Sequence, residues 1–290
     1  MDPLPLILVL ISAMSHGLWN YLAKSGKDKE SYMLLLNITS LILFIPVFYL
    51  ILPEIYFPIS ILPYLLISGV AETLYFLGLG KAYEKGDLSL VYPVARSSPV
   101  FVSLAAFVFL GERITAFGVL GILVIFFGVY ILHLKGLTRQ DLAGPLMYLK
   151  TGSSRYALLA ALGTTIYSIS DKLGVTTVDP LLYSFWLGFF VTGMLTMAIV
   201  YRRGIKLIRE EVKEGLFSIT ISGVLMKGGY MMVLYAMSLA QVSYILALRQ
   251  ISVVLGALMG VLFLGERYGR VRIIGSVIIF LGVYILGALA

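Results

Sequence analysis

Ten runs of about 20 mainly apolar residues follow one another along this chain, separated mostly by short polar gaps. That succession limits the fold more than any single motif does. A helix rises ~1.5 Å per residue, so roughly 20 residues cross a hydrocarbon layer about 30 Å thick. Lipid offers no partner to unpaired backbone groups, which leaves helices and closed barrels as the only spanning structures. Tilted barrel strands need only about 9–11 residues, and the runs here are twice that length. The expected fold is therefore all-α: a polytopic membrane protein with ten transmembrane helices near 4–24, 32–52, 61–82, 89–110, 115–134, 156–173, 180–201, 215–238, 243–264 and 270–289. Pro46, Pro93 and Pro99 fall inside these runs, and a helix bundle in lipid tolerates them because neighbours satisfy the freed backbone groups.

Composition agrees. Hydrophobic residues make up 60% and charged residues 13%, against about 45–50% and about 25% in soluble domains. The absence of cysteine excludes thiol chemistry and thiolate metal sites. The net charge of +7 resides mainly between the apolar runs. It reads as membrane-flanking charge, with membrane lipid as the partner and no nucleic acid. The start, Met1-Asp2-Pro3, lacks a basic segment before the first apolar run, so that run is expected to be a spanning helix and not a cleaved leader.

The halves of the chain repeat. FLGER at 109–113 recurs at 263–267, an offset of 154. On the same register Gly121 recurs as Gly275, Ile125-Phe126 as Ile279-Phe280, and GVYIL at 128–132 as 282–286. A weaker match relates His16, Trp19, Asn20 and Lys24 to Thr164, Tyr167, Ser168 and Lys172. Shared hydrophobicity alone does not produce identities in one register. The expected organisation is a first five-helix repeat at 1–134, a linker at 135–155 with a short surface helix near Leu142–Leu149, and a second five-helix repeat at 156–290. Five is odd, so the second half enters the membrane from the opposite side. Such inverted repeats recur in secondary transporters, with substrate held near the repeat interface.

Seventeen of the 22 Lys and Arg residues fall in the loops that follow odd-numbered helices; Arg113 and Lys172 fall on the other side, and Arg96, Lys227 and Arg249 lie within spans. Basic loops stay cytoplasmic, which places both termini outside.

Ionisable residues inside a span are costly and point to function. Glu72 lies midway along the third helix, with Tyr75 and Phe76 one turn on. It could carry a proton, meet a cationic solute or pair with a buried base. Arg96, one turn after Tyr92, has Gln250 as its repeat counterpart, and Arg249 is adjacent. Their planar guanidinium forks suit an anionic group, or pairing with Glu72 and Asp171. Lys227, followed by Tyr230, sits in MKGGY and nearly superposes on Glu72 in the repeat. His16, Trp19 and Asn20 share a face of the first helix, as Thr164, Tyr167, Ser168 and Asp171 do in the sixth. Aromatic rings beside small polar groups suit a cavity wall, although a structural hydrogen bond would also explain His16. Glu112 and Glu266 are expected to cap helices or to pair locally. The recurring glycines, including Gly256-x-x-x-Gly260, are expected to be packing seams. No metal-ligand cluster, nucleotide loop or catalytic motif is present in the sequence, so neither an enzyme nor a cofactor is expected.

With its 5+5 duplication, Trp19-Asn20, Lys24 and the paired FLGER turns that precede helices ending in GVYIL, the chain resembles EamA-type proteins of the drug/metabolite transporter superfamily. The resemblance implies two EamA-like halves around a central cavity, alternating access, a cell-membrane location and often the export of amino acids or related metabolites. It also implies cytoplasmic termini, opposite to the charge count. The intramembrane charges favour a small polar or zwitterionic solute as the partner. The alternatives are a multidrug or lipid-linked substrate exporter and a non-transport membrane scaffold. Coupling to protons, substrate identity and oligomeric state carry no sequence signal.

Overall fold

The computed structural model describes residues 2–23, 26–85, 94–151, 154–255 and 269–290, and all regular structure among these is helical. In chain order the elements are α1 (Pro3–Ala23), α2 (Lys29–Ile51), α3 (Leu62–Lys85, entered through a 3-10 turn at Ile59–Ile61), α4 (Ser98–Leu110) and α5 (Ala116–Leu132). They continue with α6 (Arg139–Tyr148), α7 (Ser154–Thr177), α8 (Pro180–Leu239), α9 (Val242–Leu248) and α10 (Arg270–Tyr284), closed by a π turn at Ile285–Leu289.

Helix starts follow local chemistry. Asp28 accepts from the Ser31 N–H (2.8 Å) at the head of α2. Thr115 accepts from the Gly118 N–H (3.0 Å) at α5. Asp179 accepts from the N–H groups of Leu181 and Leu182 just after Pro180. Each bond satisfies a first-turn donor that has no partner within its helix. At the end of α4, Gly111 closes the helix at φ 65°, a left-handed conformation that glycine adopts without steric cost.

The spans at 180–201 and 215–238 belong to one 60-residue helical stretch, α8, broken at Gly204 (φ 74°, ψ 161°). The intervening residues, expected to form a loop, are helical on both sides of that break. The Lys227 Nζ donates to the Ser184 carbonyl at 2.6 Å, so the two arms of α8 fold back against each other. Each arm is thus one span, and the described residues hold helix in each of the ten expected runs, in α1, α2, α3, α4, α5, α7, the two arms of α8, α9 and α10. The surface helix in the linker is present as α6, three residues earlier than expected at its start. Among the described residues, α1, α2, α3 with its 3-10 turn, α8 and α10 with its π turn are long and apolar enough to cross a membrane by themselves.

The spans expected at 89–110 and 243–264 are each interrupted. After Val94 and Ala95 the chain turns at Arg96-Ser97 before α4 begins; after α9 it turns at Arg249-Gln250 before helix resumes over 251–255. Pro99 has no N–H for the Ala95 carbonyl, which favours the first break. At the second, Ser252 and Val253 bond back only three residues, to Arg249 and Gln250 (3.1 and 2.9 Å), a tighter 3-10 arrangement. The two breaks occupy equivalent places in the repeat. Tyr92, Pro93, Lys24, the second FLGER turn and Gly256-x-x-x-Gly260 lie outside the described residues.

The packing carries the symmetry of the sequence. A Cβ added at Gly121 would meet Leu286 and the Gly282 carbonyl; one at Gly275 would meet the backbone of Leu132, and one at Gly128 the Gly275 carbonyl at 3.0 Å. The close pairs between α5 and α10 are therefore 121 with 282 and 128 with 275. Exchanging repeat partners converts one pair into the other. Positions rise along α5 as they fall along α10, so the helices cross antiparallel about a local two-fold axis, as an inverted repeat requires. Similarly, α3 packs on α7 and α1 on α8: the third span of each half lies on the first span of the other.

Candidate functional site

Between the two halves lies a cavity offering about 80 Å³ to the centres of water-sized molecules. That is several times the ~10–15 Å³ a cavity needs to hold one water, room for a few waters or a small solute. Its wall draws on both halves: His16 and Trp19 from α1, Asn37 and Ser40 from α2, Glu72, Tyr75 and Phe76 from α3, Tyr167 from α7, Leu187, Gly188, Lys227 and Tyr230 from α8, and Arg249 at the break after α9. The 3.6-residue period brings Glu72, Tyr75 and Phe76 to one face of α3.

Aromatic rings frame the space edge to face. Tyr75 lies 6.0 Å from Tyr167, and Tyr167 lies 6.4 Å from Tyr230. Arg249 stands over the Tyr230 ring at 5.8 Å, and Lys227 over Phe48 at 5.5 Å. These spacings suit favourable cation–π contact.

The charges are arranged unevenly. Asp171 on α7 is wholly buried and accepts hydroxyl hydrogen bonds from Ser68 (2.6 Å), Tyr183 (2.8 Å) and Tyr230. Glu72 lines the cavity, yet its buried Oε1 has no hydrogen-bond partner. Lys227 gives one donor to the Ser184 carbonyl. Among the described residues no ion pair joins Glu72 to Lys227 or Arg249. A carboxylate and two cations thus share an enclosed space without neutralising one another directly, where the low local dielectric strengthens each field.

A second, smaller pocket adjoins the first and shares His16, Tyr75, Tyr167 and Arg249 with it. Its remaining wall comes from the two helix breaks: Ala95, Arg96 and Ser98 on one side, Leu246, Gln250 and Ser252 on the other. The Arg96 Nη2 lies 3.0 Å from the His16 Nε2, and His16 packs edge to face on Trp19 at 5.0 Å. Interrupted helices expose backbone groups where a cavity can use them.

Two amino-acid stretches, 3–134 and 154–288, match the family described as EamA-like transporter family. The chain belongs to the EamA-like transporter family. It is a multi-pass membrane transporter, not an enzyme, and a small-molecule substrate follows from that membership. No curated protein matches it in sequence. A protein known from a crystal structure superposes on this EamA-like chain with a TM-score of 0.69 at 17% identity, covering 98% of this chain and 99% of the other. At that identity the likeness concerns the fold.

Of the residues singled out from the sequence of this EamA-like protein, His16, Trp19, Glu72, Tyr75, Tyr167, Lys227, Tyr230 and Arg249 line the main cavity, and Arg96 and Gln250 line the adjoining pocket. Two do not join them. Asn20 donates to the His16 carbonyl of its own helix (2.8 Å). Ser168 is wholly buried with its hydroxyl unpartnered, off the cavity wall. Tyr92 lies outside the described residues. The sequence reading left Asn37, Ser40 and Gly188 unmarked; they are ordinary residues on apolar helices, and only the fold reveals their place. Asp171 takes its hydrogen bonds among the described residues from hydroxyls, of Ser68, Tyr183 and Tyr230. Glu112 caps a helix of the other half: its carboxylate accepts from the N–H groups of Val242 (2.7 Å) and Ser243 (3.3 Å) and from the Ser243 hydroxyl (2.6 Å).

Proposed function

We propose that this protein is a secondary transporter of a small zwitterionic metabolite of the amino-acid class, working by alternating access around the cavity between its halves. The observation that carries the reading is the unpartnered Glu72 oxygen on the same wall as Lys227 and Arg249. A solute with an ammonium and a carboxylate a few ångströms apart supplies a partner to both kinds of group. In this reading the ammonium meets Glu72 and the carboxylate meets Arg249, with the tyrosine rings enclosing the aliphatic part. A purely hydrophobic drug or lipid-linked substrate would leave those buried charges unmatched, at a cost that disfavours it. Export is the direction drawn from the resemblance of the sequence to EamA-type exporters.

The broken helices support the mechanism. Spans already divided at Arg96-Ser97 and at Arg249-Gln250 allow their segments to tilt separately, so the cavity can open to one side while the other stays packed. The test is solute flux into proteoliposomes across a panel of amino acids and organic anions, with and without a pH gradient. Saturable uptake of an amino acid is expected, lost in Arg249→Ala. Flux no greater than in empty liposomes for every solute would overturn the reading.

A further inference from the structure

Helix α6 stands apart from the transport path and carries a surface of its own. It is ten residues long, too short to span, yet it connects the end of α5 at Leu132 to the start of α7 at Ser154 and so lies where two spans leave the membrane. Its pose is fixed from within. Thr138 and Asp141 form a reciprocal capping box, the Tyr130 hydroxyl donates to the Leu142 carbonyl (2.5 Å), and Pro145 is buried. So held, it presents Leu142, Leu146 and Leu149, which are 41%, 60% and 42% exposed. Their i, i+4, i+7 spacing makes one stripe. Arg139 and Lys150, both exposed, flank that stripe one turn before Leu142 and one turn after Leu146. The acidic residue of the helix, Asp141, lies on another face and is taken up by the capping box.

We propose that α6 is an interfacial helix that docks on the anionic phospholipid surface of the bilayer, its leucines entering the acyl boundary and Arg139 and Lys150 meeting lipid phosphates. Leucines bounded by basic side chains form the chemistry of helices that lie in the membrane plane, where apolar burial and attraction to anionic headgroups add together. Charge complementarity selects this occupant: the stripe is flanked by cations alone, and the loop belongs to the side of the protein on which the Lys and Arg residues concentrate.

The cysteine-free sequence permits a direct test. Leu146→Cys and Gln140→Cys, each labelled with an environment-sensitive fluorophore, are reconstituted into vesicles of phosphatidylcholine alone or with added phosphatidylglycerol. The label at 146 should be quenched by nitroxide on the acyl chains and shielded from aqueous iodide, and the label at 140 should show the reverse. Acyl-chain quenching at 146 should rise several-fold with phosphatidylglycerol, and Arg139→Gln with Lys150→Gln should remove that rise while elution of the protein stays unchanged. Equal iodide quenching at the two positions would place the face in water and overturn the proposal. So would shielding from both quenchers, which would mark a protein partner or a second copy. Quenching indifferent to phosphatidylglycerol would overturn the anionic-lipid assignment.

Discussion

Two carboxylates lie within the spans near the cavity, and their surroundings give them different work. Asp171 receives three hydroxyl donors and functions as a cross-link between α3, α7 and α8. Asp171→Asn replaces one acceptor oxygen by a donor NH2 group, so at least one buried hydroxyl proton loses its acceptor. A buried unsatisfied group costs about 1–3 kcal/mol, and the expected outcome is a lower unfolding temperature in detergent. Glu72 has an unpartnered oxygen on the cavity wall. Glu72→Gln should leave the unfolding temperature near that of the parent, abolish uptake driven by a proton gradient and preserve exchange of solute across the membrane. Gradient-driven uptake unchanged in that variant would remove Glu72 from coupling. The sequence made Glu72, Lys227 and Arg249 legible because a charge in an apolar run has few bland explanations. It marked Asp171 as a neighbour of Thr164 and Tyr167 and as a possible partner of the arginines, but not as a hydroxyl acceptor, since the hydroxyls that define its role come from Ser68, Tyr183 and Tyr230 on other stretches of the chain. Asn20 misled for the opposite reason: a polar side chain in a helix can satisfy itself on the carbonyl four residues back.

At the scale of elements, the glycine seams and the helix breaks organise the bundle. The α5–α10 crossing is so close that a methyl group at Gly275 would lie 2.6 Å from the Leu132 Cα, whereas one at Gly193 would meet nothing within 4 Å. Gly275→Ala should therefore force two backbones apart and destabilise the protein, by about 1–3 kcal/mol if the crossing relaxes in part. Gly193→Ala should be neutral or stabilising by up to ~1 kcal/mol, the usual helix preference for alanine. Thermal unfolding of the two variants side by side checks this, and equal midpoints would contradict the seam. The seam itself was legible, because the glycines recur on the repeat register. The breaks were not read from the sequence. Pro99, expected to be tolerated within a continuous span, in fact favours the first break, and the second has no proline, so no local pattern announces its 3-10 bonding around Arg249-Gln250. The helix on both sides of Gly204, over 201–215, was also hidden. Glu211 there is buried because its carboxylate accepts from the N–H groups of Lys27 and Asp28 (3.1 and 2.8 Å), a role that a charged, loop-like stretch does not display.

For the whole molecule the governing facts are the count of spans and the two-fold relation between halves. Apolar run length sufficed for the count because hydrocarbon thickness sets it, and the repeated FLGER and GVYIL motifs sufficed for the relation because five spans per half force inversion. The structure adds where the halves touch: each third span crosses onto the first span of the other half, so the cavity wall is shared and neither half encloses it alone. Orientation follows a separate physical rule. Connections rich in Lys and Arg resist translocation, and the helical connection between the two arms of α8 carries Arg202, Arg203, Lys206 and Arg209, whereas the turn between α7 and α8 carries Asp179 and no base. From the charge rule we expect Lys206 in the cytoplasm and Thr177, exposed at the end of α7, outside, together with both termini. In intact cells a membrane-impermeant maleimide should label Thr177→Cys and should reach Lys206→Cys only after permeabilisation. The reverse pattern would show that the insertion is set by something stronger than the loop charges. It would also turn α6 and its leucine stripe toward the outer leaflet, where anionic phospholipid is scarcer and the predicted dependence on phosphatidylglycerol would have less to act on in the cell.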